Sequence, residues 1–175
     1  MARRVFIFDD PDQFVAGALG EPGQRTFFLQ ARKGGTLVTV TLEKSQVAAL
    51  ATRLDDLPAA VDAPPGIGVP SAGEVDQPIV EHFRVGAMAL AWDASEGTVV
   101  IEAQTPTEDG EYAEVPDDDP DGPDLLRVRI NPADARSFVH AASAVLEAGR
   151  PPCPFCGQPL DPRGHFCPMR NGQPQ

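Results

Sequence analysis

The order of predicted elements is the sequence feature that most constrains the fold, because the same order occurs twice. Two stretches of the chain each predict two strands followed by a helix. The first is TFFLQAR, a turn and LVTVTLEKSQVAALATRLDDL, and the second is VVIEAQ, a loop and LLRVRINPADARSFVHAASAVLEAG. Another strand precedes each series, so each half has the order β-β-β-α. Two such units can share one core. We therefore predict an α+β fold of duplicated β-β-β-α units, with a mostly antiparallel sheet and two helices on one face.

The predicted elements divide the chain into a domain and a tail. Residues 1–150 form the duplicated α+β domain: residues 1–57 are the first unit, 58–78 a Pro/Gly-rich connection, and 79–149 the second unit. Residues 151–175 form the tail. Apolar alternation predicts six strands: Arg3–Phe8, Arg25–Arg32, Thr36–Glu43, Glu81–Asp93, Thr98–Gln104 and Leu125–Ile130.

The helices and their ends follow from periodicity and capping. A helical period runs from Lys44 to Leu57. A second helix starts after Asn131, an N-cap followed by proline at the first helical position, and extends to about Ala148. Pro11 after two aspartates predicts a further short helical turn near residue 14.

The negative charge of the chain is concentrated in one segment. The formal net charge is −12, and residues 108–124 (EDGEYAEVPDDDPDGPD) contain nine acidic residues and no basic one. With almost no large apolar side chain, this segment cannot offset the entropy of ordering, so we predict a mobile acidic loop. A calcium site and a docking segment for a basic partner are alternatives, although the glutamate that ends an EF-hand loop is missing.

The tail contains all three cysteines of the chain. The spacing Cys-x2-Cys, eight residues, His-x-Cys gives four candidate metal ligands: Cys153, Cys156, His165 and Cys167. Three thiolates and one imidazole suit tetrahedral Zn²⁺, and Gly157 can supply the positive φ that a Cys-x-x-Cys turn needs. Four protein ligands leave no open coordination position. We therefore predict a structural zinc knuckle and not a catalytic zinc site.

Other interpretations of the cysteines stay open. Cys153 and Cys156 have the spacing of a thioredoxin-like redox pair, but that motif opens a helix after a strand, whereas prolines surround it here. Thiols without a metal are a second alternative. A disulfide framework is disfavoured, because three cysteines cannot all pair within one chain.

The hydropathy of the chain indicates its compartment. No apolar run approaches the roughly 18 residues of a membrane span, and MARRVFIFDD lacks a secretory apolar region. Together with the predicted thiolate site, this favours a cytoplasmic protein without membrane contact.

Two motifs resemble a known family. FDDPDQFVAGALGEPGQRTFFLQAR near the start and CPFCGQPLDPRGHFCPMRNG near the end are similar to a conserved actinobacterial family of unknown function, over essentially the full length. Gln13 and Met169 stand where the family pattern has arginine, while the four predicted ligands are kept. The resemblance implies no established activity.

Three classes of function are compatible with this sequence. The first is a non-catalytic scaffold or adaptor that binds a protein partner and uses zinc to fold its tail. The second is a single-stranded nucleic-acid binder of Pur/Whirly-like architecture, which RTFFLQARKGG favours and the net charge of −12 disfavours. The third is an enzyme. Neither His82 nor His140 has a nucleophile pattern nearby and no paired carboxylates stand out, so we expect no catalysis.

Overall fold

The computed structural model describes residues 2–21, 23–61, 75–148, 153–158 and 167–170. In the first half, four strands precede a helix: β1 (Val5–Asp9), β2 (Gln13–Leu19), β3 (Thr26–Lys33), β4 (Thr36–Leu42) and α1 (Lys44–Val61). The second half repeats this order: β5 (Glu81–Arg84), β6 (Ala87–Asp93), β7 (Thr98–Gln104), β8 (Leu125–Ile130) and α2 (Pro132–Glu147). The predicted α+β class is confirmed, with four strands in each half where three were predicted.

The strands form two sheets, where the sequence predicted one. Sheet I has the order β2-β3-β4-β5, and sheet II has the order β1-β8-β7-β6. Each sheet is an antiparallel meander from one half, completed by the first strand of the other half. These exchanged strands pair in parallel, β1 with β8 and β5 with β4. The two halves are therefore interlocked and share their sheets.

The two sheets correspond in register as well as in order. Val40 lies between Leu29 and Phe83 in sheet I. Val128 lies between Ile101 and Phe8 in sheet II. The residue after each exchanged strand then donates its N–H to the equivalent carbonyl: Val85 to Thr41 at 2.8 Å, and Asp10 to Arg129 at 3.0 Å. That the halves arose by duplication stays a prediction.

The exchange of strands depends on the short links after β1 and β5. The single strand predicted over Glu81–Asp93 is wrong, because the chain leaves sheet I after Arg84 and enters sheet II at Ala87. Gly86 lies in this link, where a Cβ atom would be 2.3 Å from the Cα atom of Pro106. Only glycine fits such a close backbone approach.

The corresponding link after β1 was predicted as a short helical turn, which is also wrong. Asp10 has φ of 52°, and the chain enters β2 at Gln13. Phe14, Ala16 and Ala18 face the core from this strand. Small residues on its inner side gave a weak strand signal.

Both helices pack on the sheets to enclose one apolar core. Val47, Leu50 and Leu54 of α1 are buried in it, as are Ala135, Phe138 and Ala142 of α2. Phe138 stacks on Phe14 with ring centroids 4.7 Å apart. Burial of each large apolar side chain contributes about 1.5–3 kcal/mol. The predicted start of α2 is confirmed, since the side chain of Asn131 accepts a hydrogen bond from the N–H of Asp134 at 2.8 Å.

The acidic segment lies against the outer face of sheet II. Arg127 on β8 makes two hydrogen bonds with Asp117, at 2.7 and 3.0 Å, and another with Glu102 on β7 at 2.5 Å. The buried side-chain amide of Gln104 exchanges two hydrogen bonds with the backbone of Ala113, at 2.8 and 2.9 Å. The sequence analysis did not predict these anchors, which lie on the strands at each end of the segment, and the mobility of the loop stays a prediction.

Arg3 binds the backbone of the acidic segment, and the calcium alternative for this segment stays a prediction. Its guanidinium donates to the backbone carbonyls of Pro123 at 2.7 Å and Pro116 at 2.5 Å. Gly122 packs beside it, so that a Cβ atom there would lie 3.0 Å from the guanidinium carbon. The carbonyls of this turn therefore bind a side-chain cation of the same chain.

Candidate metal centre

A tight turn brings the first two cysteines of the tail together. The N–H of Gly157 donates to the carbonyl of Cys153 at 2.9 Å, and the N–H of Cys153 donates to the carbonyl of Gln158 at 2.7 Å. Gly157 has φ of 75°, as the Cys-x-x-Cys turn predicted. Other residues are strained in this conformation, so glycine lets the chain close immediately after Cys156.

All three cysteine sulfurs converge at one point. The Sγ atoms of Cys153, Cys156 and Cys167 lie within 4.8 Å of one another, and the Sγ atoms of Cys153 and Cys167 are 3.8 Å apart. Tetrahedral coordination with Zn–S bonds of about 2.3 Å places two sulfurs about 3.8 Å apart. The cluster therefore has the dimensions of three corners of a tetrahedral thiolate site.

The thiols of this cluster influence one another's ionisation. Burial alone raises the pKa of the Cys153 thiol, but the backbone N–H groups of Cys156 and Phe155 and the two neighbouring thiols lower it to about 6. The N–H of Gln158 lowers the pKa of Cys156, yet burial and the neighbouring cysteines outweigh it, and the net pKa is raised. The Cys153 thiol therefore loses its proton readily, and the negative charge of the resulting thiolate opposes deprotonation of Cys156.

A cation resolves this repulsion. Thiolates are the metal-binding form of cysteine, and a divalent ion between them favours loss of all three protons. Cys153 and Cys167 are buried and Cys156 is half-buried, so the ion would be largely shielded from water. The three cysteines could therefore hold a metal ion.

The histidines fall into different surroundings. His165, the predicted fourth ligand, lies outside the described residues, so its role stays a prediction. The Nδ1 of His82 accepts a hydrogen bond from the N–H of Thr39 at 3.2 Å, and its ring meets Phe6 edge-on. His82 thus serves the β4–β5 junction, and His140 is exposed on α2.

Two exposed apolar side chains accompany the cysteines, and the sequence reasoning did not single them out. Phe155, between Cys153 and Cys156, is 53% exposed, and Met169, two residues after Cys167, is 69% exposed. Among the described residues, only Ile7 and Val80 are other large apolar side chains so exposed. The position of Phe155 and Met169 close to predicted cysteine ligands was the signal available in the sequence.

Fold and site together define the class: an α+β protein of two interlocked four-stranded sheets, with three cysteines that could hold a metal ion at its C-terminal end. The chain belongs to the family described as "Protein of unknown function (DUF3090)", which matches residues 6–167. The predicted membership of a family of unknown function is confirmed, while its actinobacterial origin stays a prediction. No curated protein and no solved structure matches the chain. In the described part of the chain, neither helix is both long and apolar enough to cross a membrane.

Proposed function

We propose that this protein is a non-catalytic adaptor whose C-terminal segment is held by one structural zinc ion. The convergence of three cysteine sulfurs, with one pair 3.8 Å apart, carries the proposal. Three thiolates favour zinc over magnesium or calcium, which prefer oxygen ligands. With His165 as the fourth ligand the site has no open position, so the metal supplies folding energy and no Lewis-acid chemistry.

The adaptor role is supported by the apolar side chains that the cluster presents. Phe155 and Met169 come from the two separate halves of the centre and are both exposed. A metal bound to Cys153, Cys156 and Cys167 fixes these halves relative to each other. Aromatic side chains and methionine are enriched where proteins bind partners, so a protein partner is the occupant that fits them.

Cobalt substitution tests the metal site. Co²⁺ in place of zinc is expected to give the intense visible bands of tetrahedral thiolate coordination, with one metal ion per chain. Replacing His165 with alanine should shift these bands and weaken binding at least about tenfold, because one ligand is lost. The matched control is His140→Ala, an exposed histidine outside the tail. Equal spectra for wild type and His165→Ala would remove histidine from the ligand set.

The adaptor role has a separate test. Covalent cross-linking in the native host is expected to capture a protein partner through the centre. The double variant Phe155→Ser, Met169→Ser should lose that partner while keeping one zinc ion. Ile7→Ser removes an apolar side chain of similar exposure from β1 and should keep the partner. Capture that is unchanged in the double variant contradicts the adaptor proposal without affecting the zinc assignment.

The nucleic-acid alternative stays a prediction, and the ion pairs of several arginines argue against it, among them that of Arg32 in RTFFLQARKGG with Asp76 at 3.5 Å. A single-strand binder needs free cations along its groove. Arg127 is bound to Glu102 and Asp117, and Arg129 is bound to Asp9 at 2.7 Å. Salt-dependent retention of the wild-type protein on single-stranded DNA would favour this alternative over the adaptor.

A further inference from the structure

Strand β6 forms one end of sheet II, and its edge lacks the usual protection. Edge strands in natural proteins are commonly short or carry charged residues or proline, because open backbone groups invite another strand. At one edge of sheet I, strand β5 follows this rule, since it is short and carries charge, with the four residues EHFR. In β6, by contrast, the seven residues read AMALAWD, so that the one charged residue, Asp93, stands at the end of the strand, and all seven are at least partly exposed.

A groove lies on each side of this edge. The outer groove, of about 520 Å³, lies between β6 and the acidic segment and is lined by Ala91, Val100, Tyr112 and Glu114, among others. The inner groove, of about 230 Å³, lies between β6 and α1 and includes Leu50, Arg53 and Met88. Ala89 and Leu90 line both grooves. A strand added to β6 would place alternate side chains in the two grooves.

The outer groove carries negative charge without compensation. Glu114 on its rim is exposed and has no ion-pair partner among the described residues. Of the nine carboxylates in the acidic segment, only Asp117 and Asp124 form ion pairs in the described part of the chain. The inner groove is lined by the apolar side chains of Leu50 and Met88 and by Arg53, which disfavours a basic side chain there. A complementary strand therefore has basic side chains on one face and apolar side chains on the other.

We propose that β6 is the docking edge for an extended segment of a partner protein in which basic and apolar residues alternate. The segment adds to sheet II as a further strand, with its basic side chains toward the acidic segment and its apolar side chains toward α1. This inference rests on the proposed adaptor function only in that the occupant is a protein partner, and the chemistry of its segment follows from the two grooves. A second copy of the chain fits less well, because pairing two β6 edges would bring two acidic segments together in a protein of net charge −12.

A synthetic peptide provides the direct test. Trp92 lies on β6 and is the sole tryptophan of the chain, so its fluorescence reports occupation of the edge. Titration with the seven-residue peptide Lys-Val-Lys-Val-Lys-Val-Lys is expected to give a saturable change in Trp92 emission. Peptides with glutamate in place of lysine, or proline in place of valine, should bind at least about tenfold more weakly, because the first reverses the charge and the second cannot form a strand.

Two lysine substitutions form a matched pair of a test variant and its control. Ala91→Lys introduces a charge at the exposed position of β6 and should weaken binding at least about tenfold. Ala144→Lys places the same change on an exposed position of α2 and should leave binding unchanged. Zinc content is measured on the same samples. If the protein binds the peptide but contains no zinc, this inference stands and the proposed metal site is wrong. If it contains zinc but does not bind the peptide, the metal site stands and this inference is wrong.

Two results would overturn the inference. Equal affinity for the valine and proline peptides would mean that charge alone attracts the lysines. A wild-type dimer in sedimentation velocity that Ala91→Lys dissociates would assign the β6 edge to a second copy of the chain.

Discussion

The α+β body and the cysteine centre are stabilised by different forces. The body buries apolar side chains from two sheets and two helices in one continuous core. In the described part of the centre, the buried residues are Cys153 and Cys167. A segment this small has too little apolar surface to offset its ordering entropy, whereas a ligated metal supplies that free energy. We therefore expect the body to fold without metal and the cysteine centre to depend on it.

The largest expected effect is the loss of zinc binding at the cysteine centre, without a change in the body. Cys167→Ser removes one of three converging thiolates and should abolish stoichiometric zinc binding, because a structural zinc site contributes of the order of 10 kcal/mol of binding free energy. Circular dichroism of the body should not change. Met169→Ala, two residues away and not a ligand, is the control. Retention of tightly bound zinc by Cys167→Ser would contradict the site.

A core truncation should act on the body alone. Phe138→Ala leaves a cavity beside Phe14 and is expected to lower the free energy of unfolding by about 3–5 kcal/mol, measured by urea denaturation. The same change at exposed Phe155 should cost the body less than about 0.5 kcal/mol. Comparable losses for both variants would show that the two regions fold as one unit.

The close backbone approach at Gly86 gives a smaller effect on the body. Gly86→Ala places a Cβ atom against Pro106 and should destabilise the body by about 1–3 kcal/mol in the same urea assay. Gly35→Ala is the matched control, because open space surrounds that position. A neutral Gly86→Ala would mean that the link between the sheets can move apart at little cost.

The smallest effect concerns the acidic segment and depends on pH. The hydrogen bond from Arg127 lowers the pKa of Asp117 below its ordinary value. A carboxyl group with a lowered folded-state pKa stabilises the fold above its unfolded-state pKa of about 3.9, and this contribution is lost as pH falls through the folded value. Asp117→Asn should therefore cost about 0.5 kcal/mol at pH 7, since Asp117 is partly exposed, and progressively less as the pH falls to about 2.

The control for this pH dependence is Asp118→Asn, which changes an exposed neighbouring carboxylate. Among the described residues, Asp118 has no ion-pair partner, so its stability difference from wild type should stay near zero at both pH values. A pH dependence equal to that of Asp117→Asn would attribute the effect to net charge and not to the contact with Arg127.

Local patterns predicted the elements well where apolar spacing was clear. Strands β3, β4, β7 and β8 and the starts of both helices follow from alternation, helical period and the cap at Asn131. The tail motif likewise predicted that Cys153, Cys156 and Cys167 converge, because ligand spacing is a local property. The fourth ligand, His165, stays a prediction.

The exchange of strands between sheets could not be predicted in the same way. The pairing of Phe8 with Val128 joins residues far apart in the chain, and no local signal specifies that contact. The break at Gly86 depends on Pro106, which approaches only after the chain has folded. The contacts of the acidic segment with Arg3 and Arg127 could not be predicted either, because both arginines lie outside the segment and its composition does not indicate them.

Native mass spectrometry of the protein purified without chelator determines whether zinc occupies the cysteine centre. The predicted result is the mass of the chain plus one zinc ion, with protons lost from the ligating thiols. The bound zinc should leave on addition of a strong chelator, while the body stays folded. A metal-free chain with three reduced, intact thiols, even after incubation with excess zinc, would contradict the zinc assignment.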